Sequence, residues 1–82
     1  MANERRERVL REILRWLQDR GGEIPLRSMQ AWIGTMQHVS WRTADTYLGD
    51  LYVRGLARRV FGMVEITDRG RRTFIDVIPE ER

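Results

Sequence analysis

Arg42, Asp45, Thr46 and Gly49 fall on one face if the chain around them is helical, because residues three and four apart are neighbours on a helix surface. Their chemistry suits the reading of polar edges. A guanidinium forks onto paired acceptors such as those of guanine, a carboxylate accepts from an amino group such as that of cytosine, and a hydroxyl does either. Asp45 has a second reading, in which it orients Arg42 from i+3, and a merely solvated face is the plainer alternative for all four. Gly49 inside a helix costs roughly 0.5–1 kcal/mol relative to alanine, so a close approach is expected there, by an outside backbone or by the preceding helix. Trp41 beside them is either an exposed stacking surface or half of a packed corner with Trp32. Two further arginines, Arg58 and Arg59, stand together in a β-prone run, and Arg27 stands at the start of a short amphipathic segment where helix N-terminal amides also point at an anion.

Other chemistries find little to work with. His38 is the one histidine and there is no cysteine, so a metal site would rest on a single imidazole and carboxylates. Ser28 and Ser40 lack the strand-to-helix elbow of a hydrolase, and the glycines form no phosphate-binding loop. Neither catalytic residues nor a cofactor nor a small-molecule ligand is expected.

The elements that position these residues are legible from their ends. Ser40 is a good N-cap, and Val39 with Ala44 has the spacing of a hydrophobic staple. Gly55 sits where a left-handed residue closes a helix, with Leu56 behind it placed to touch Leu51. A helix over 41–54 follows, burying Ala44, Tyr47, Leu48, Leu51 and Tyr52 and leaving Arg42, Asp45, Thr46, Gly49 and Val53 outside. Residues 56–67 read as a hairpin with Phe61-Gly62 at its tip, which sets Arg58 opposite Glu65 and Arg59 opposite Val64; a one-residue slip exchanges the arginine that faces out.

Upstream, residues 4–19 form a helix with Asn3 as cap, an apolar stripe of Val9, Leu10, Ile13, Leu14, Trp16 and Leu17, and Glu4–Arg8 and Glu7–Arg11 in the favourable i,i+4 order. Gly21-Gly22 ends it, and Ile24-Pro25 is an extended entry to a second helix over 26–33, with Leu26, Met29, Trp32 and Ile33 inside and Gly34 at its end. Continuation of that helix to Gln37 is the alternative. Thr67 can cap a last helix over 68–78 carrying Phe74, Val77 and Ile78, before Pro79; Thr73 to Ile78 is also β-prone and could be a third strand.

The chain has 82 residues, 41% of them hydrophobic, and a formal charge of +3, so one domain over 1–82 must hold itself by packing alone. All fifteen basic residues are arginine. That composition suits phosphates and guanine edges, but codon usage in a GC-rich genome explains it as well. No apolar run reaches membrane-span length and no apolar core follows the charged start, which makes a cytoplasmic location the expectation.

Val39-Ser40 with Thr43-Ala44, Tyr47-Leu48, Leu51 and Gly55-Leu56, then a hairpin ending in Ile66-Thr67-Asp68-Arg69-Gly70, resembles a winged helix-turn-helix domain of the prokaryotic transcription-regulator type, over roughly residues 8–75. The resemblance implies an α+β fold with a three-helix core, a short β-hairpin wing and a short C-terminal helix. It implies sequence-specific binding of double-stranded DNA, with the 41–54 helix in a major groove and the hairpin on the backbone. Arg42, Asp45, Thr46 and Gly49 would then line the base-reading face with Trp41 beside them, Thr43 would match a phosphate-contacting position, Arg27 would reach a phosphate, and Arg58 and Arg59 would reach phosphates or the minor groove. Relatives dimerise through the first or last helix, so a homodimer is open. The alternative is a protein-binding module of the same fold, anchored by Trp41, Val53, Phe61 and Met63. One feature departs from the family: the stretch from Gly34 to Val39 is longer than its tight turn.

Overall fold

The computed structural model describes the backbone of residues 2–77 and the side chains of 4–73. Its elements are α1 (Ala2–Asp19), β1 (Glu23–Pro25), α2 (Leu26–Gln37), α3 (Trp41–Val53), β2 (Ala57–Val60), β3 (Met63–Ile66) and α4 (Asp68–Val77). The architecture is α+β: four helices and an antiparallel three-stranded sheet in the order β1-β3-β2. No helix among the described residues is long and apolar enough to cross a membrane.

α1 supplies the floor of the core. Val9, Leu10, Ile13, Leu14 and Leu17 are buried, while Trp16 is half-buried at the margin. The helix begins at Ala2, so Asn3 lies inside it and not at its cap. Glu7 does not pair with Arg11 as its spacing suggests; its carboxylate accepts from Arg54 of α3, because that guanidinium reaches across the helix–helix contact.

The third strand is not the β-prone stretch near the C-terminus, which is helical as far as Val77. It is Glu23–Pro25, where only an extended entry was expected. Ile24 is buried opposite Val64, and Pro25, which has no N–H to give, stands on an edge strand where none is needed. The Ile66 N–H donates to the Gly22 carbonyl at 2.8 Å, and the Leu26 N–H to the Gly62 carbonyl at 2.8 Å, so the ladder is extended at both ends of the strand. Phe74 and Val77 belong to the described backbone only, and Ile78 and Pro79 lie outside the described residues.

α2 runs on through Gly34 to Gln37, the longer of the two readings. It stops at His38, which takes the left-handed conformation (φ 56°), and its N–H and that of Val39 both turn back to the Gly34 carbonyl. Gly34 therefore serves a close approach and not a helix end: a Cβ there would lie 3.2 Å from the Val39 carbonyl oxygen. Only His38, Val39 and Ser40 separate the two helices, so the turn is shorter than the Gly34–Val39 stretch read from the sequence. Gln37, now on the last turn of α2, donates to Glu12 of α1 at 2.9 Å.

The corner after the sheet explains the Ile66-Thr67-Asp68-Arg69-Gly70 run. Thr67 Oγ1 accepts from the Gly70 N–H at 3.0 Å, capping α4, and donates to the Gly55 carbonyl at 2.6 Å, tying α4 to the exit of α3. Gly70 is buried against the Leu56 backbone, and a Cβ would overlap the Leu56 carbonyl oxygen and press on Ile66 Cγ1 at 2.8 Å. Backbone cannot move aside as a flexible side chain does. Gly70→Ala is expected to destabilise the fold by about 2–3 kcal/mol despite the higher helix propensity of alanine, read by denaturant unfolding.

Candidate functional site

α3 is fixed at both ends and along one side. Ser40 Oγ accepts from the Thr43 N–H at 3.2 Å, the N-cap bond expected from its extended backbone. At the other end Gly55 is left-handed (φ 73°), its N–H donating to the Tyr52 carbonyl and the Leu56 N–H to that of Leu51 at 2.9 Å, the paired bonds that close a helix on glycine. Ala44, Leu48 and Leu51 are completely buried. Trp41, Arg42, Thr43, Asp45, Thr46 and Val53 are consequently exposed, with Gly49 half-buried among them.

The Arg42 side chain makes no hydrogen bond or ion pair among the described residues, and the expected Arg42–Asp45 device is absent. Asp45 instead accepts from Gln30 Nε2 of α2 at 3.1 Å, since Gln30 lies across the α2–α3 contact and needs no bend of the arginine. Thr46 Oγ1 donates to the Arg42 carbonyl at 3.1 Å, which leaves the hydroxyl as an acceptor. The Thr43 hydroxyl accepts from Ser40 Oγ at 3.3 Å. Around Gly49 nothing lies within 4 Å of a built Cβ, so the second helix is not what calls for glycine there. Trp41 forms no corner with Trp32; it is 66% exposed, whereas Trp32 stacks on Trp16 with ring centroids 4.4 Å apart.

The hairpin has the register read from the sequence, Arg58 opposite Glu65 and Arg59 opposite Val64. Alternation then separates the two arginines. Ala57, Val64 and Ile66 are buried on the face toward the helices, and Arg59 shares that face at the open end of the sheet. There its charge acts on the Tyr52 hydroxyl of α3, whose titration burial pushes up and Arg59 pulls back. Arg58 points the other way and its Nε donates to Glu65 at 3.0 Å. Phe61 and Gly62 form the turn, both with positive φ.

Two hydrogen bonds join these pieces into one surface. The Leu26 N–H bond to Gly62 brings the hairpin tip to the first turn of α2, where Arg27 is exposed, and Gln30 one turn later meets Asp45 on α3. Arg27, Arg42 and Arg59 border that surface, each exposed and each with a side chain that makes no hydrogen bond or ion pair among the described residues. Arg69 is drawn instead toward the Arg54 carbonyl at 3.4 Å.

Behind α3 lies a charge network that the sequence signals at one pair only. Arg6 Nε meets Asp50 Oδ2 at 2.7 Å, Arg54 meets the other Asp50 oxygen at 3.5 Å and Glu7 at 2.6 Å, and the Arg6 guanidinium lies 5.3 Å from the Tyr47 ring centroid. Only the i,i+4 spacing of Asp50 and Arg54 was a signal. A separate groove of about 270 Å³ runs between α1 and α2, lined by Glu12, Arg15, Trp16, Asp19, Trp32 and Met36, and shares no residue with the surface just described. The described residues contain no group of three or more His, Cys, Asp or Glu able to hold a metal ion. No family model, curated protein or solved structure matches this chain.

The network gives the position of α3 a pH dependence. The hydrogen bond from Arg6 holds the Asp50 carboxyl below its usual range, and that from Arg54 does the same for Glu7. Both groups are lowered on folding, so their contribution is complete above the ordinary carboxylate range and disappears as pH falls through the lowered folded values. Thermal stability is expected to fall on acidification below about pH 4. Asp50→Asn should cost about 0.5–1 kcal/mol at neutral pH, the range for partly exposed pairs, and flatten the acid limb of the melting curve.

Proposed function

We propose that this chain is a winged helix-turn-helix domain that binds double-stranded DNA, laying α3 in a major groove with the β2–β3 hairpin as its wing on the adjacent backbone. The observation that carries the reading is the set of three arginines, Arg27, Arg42 and Arg59, whose side chains are unpaired among the described residues along a surface built from α2, α3 and the hairpin. A three-residue turn between α2 and α3 and the β1-β3-β2 sheet support it further. The division of labour follows from position. Arg42 and Thr46 stand on the outer face of α3 and meet base edges; Arg59 and Arg27, at the hairpin and at a helix N-terminus, meet phosphates. Asp45, steadied by Gln30, accepts from an exocyclic amino group. Control of transcription is the use this arrangement serves best.

Exposed Trp41, Val53 and Phe61 favour a second reading, a protein-binding module of the same fold. Salt separates the two. DNA affinity measured by fluorescence anisotropy should fall with a log–log slope of roughly −2 to −4, as expected for a few phosphate contacts. Arg59→Ala should weaken binding to every sequence alike. Arg42→Ala should cost about 1–3 kcal/mol on the best site from a selected random pool and little on random DNA. A chain that binds no duplex even in low salt is not a DNA-binding protein, and the second reading then takes its place.

A further inference from the structure

Phe61 opens the two-residue turn between β2 and β3 with φ 51°, followed by Gly62 at φ 79°. Two positive φ values give the turn whose twist matches a hairpin, and asparagine, aspartate or glycine suits its first position. An aromatic residue held in the left-handed region costs about 1–2 kcal/mol. The side chain recovers none of this inside the fold. It is 101% exposed, so it buries no apolar surface, and no described residue touches its ring as a partner. Strain and complete exposure at the same residue point to a contact outside the chain.

The surroundings say which kind. Arg59, whose side chain has no partner among the described residues, precedes the tip on β2, and Arg27 adjoins it through the Leu26–Gly62 hydrogen bond. An apolar tip flanked by guanidinium groups fits a DNA minor groove, where two phosphate rails border the edges of stacked bases. We propose that Phe61 is an apolar wedge that enters the minor groove beside the α3 site and partly opens one base step, bending the duplex there. Pyrimidine–purine steps, which unstack most readily, are the preferred place. The inference rests on the DNA-binding reading and adds sequence preference at a position that no polar side chain touches.

Phe61→Asn and Phe61→Leu in the full chain test it, by thermal melting and by binding to a mixed-sequence duplex with 2-aminopurine next to a TA step. Asparagine suits the turn, so Phe61→Asn should melt a few degrees higher than the parent. It should nevertheless bind DNA about tenfold more weakly and abolish the rise in 2-aminopurine fluorescence that the parent produces. Phe61→Leu should keep affinity within about threefold and part of the fluorescence rise. Undiminished binding by Phe61→Asn overturns the wedge and leaves DNA binding intact, and so does a parent that binds without any fluorescence rise. A parent that binds no DNA removes both readings together.

Discussion

The complete burial of Ala44, Leu48 and Leu51 is the constraint on which the rest of the structure depends. With fifteen buried hydrophobic residues among those described forming the core, α3 cannot rotate without exposing side chains that nothing else replaces. That fixes which residues look outward. Ser40 and Gly55 then set where the helix starts and stops, and Thr67, by donating to the Gly55 carbonyl, ties the exit of α3 to α4. The face carrying Arg42, Asp45, Thr46 and Gly49 is thus held by apolar packing and main-chain bonds, independent of any partner. A surface pre-set in this way loses little conformational entropy when it is covered.

Charge is divided by place within a set of chemically identical residues. Arg6 and Arg54 are committed to Asp50 and Glu7 between α1 and α3, Arg58 to Glu65 across the hairpin, and Arg71 to Gln18 at 2.9 Å. Among the described residues the side chains of Arg27, Arg42 and Arg59 are committed to none. The first group holds elements together and the second is left for solvent or a ligand, a distinction that neither the arginine count nor the net charge carries. Asp45 shows the same principle in reverse, since its carboxylate stays on the outer face yet is steadied from α2 by the Gln30 amide.

Caps, periodicity and the hairpin register were legible because each is a local relation: Ser40 with Thr43, Gly55 with Leu56 and Leu51, Arg58 with Glu65. Errors arose where distant backbone decides. Gly34 looks like a helix end in isolation, and only the return of Val39 over it shows why glycine is needed inside α2. Glu23–Pro25 is too short to announce a strand, and it becomes one because β3 offers it a free edge. The pairing of Asp45 went astray for the same reason, Gln30 being fifteen residues away in sequence but adjacent in space. At Gly49 the close approach expected from the preceding helix is absent, because the space a Cβ would take is open.

The three tryptophans provide the most direct measurement of where a ligand sits, because Trp41 lies on the outer face of α3 while Trp16 and Trp32 stack on each other beside the groove between α1 and α2. Titration of duplex DNA into the nitrogen-15-labelled protein, followed by the indole and arginine N–H resonances, should move Trp41 with Arg27, Arg42 and Arg59 and leave Trp16 and Trp32 in place. Shifts confined to Trp16 and Trp32, or none at any DNA concentration in low salt, would contradict DNA binding through α3.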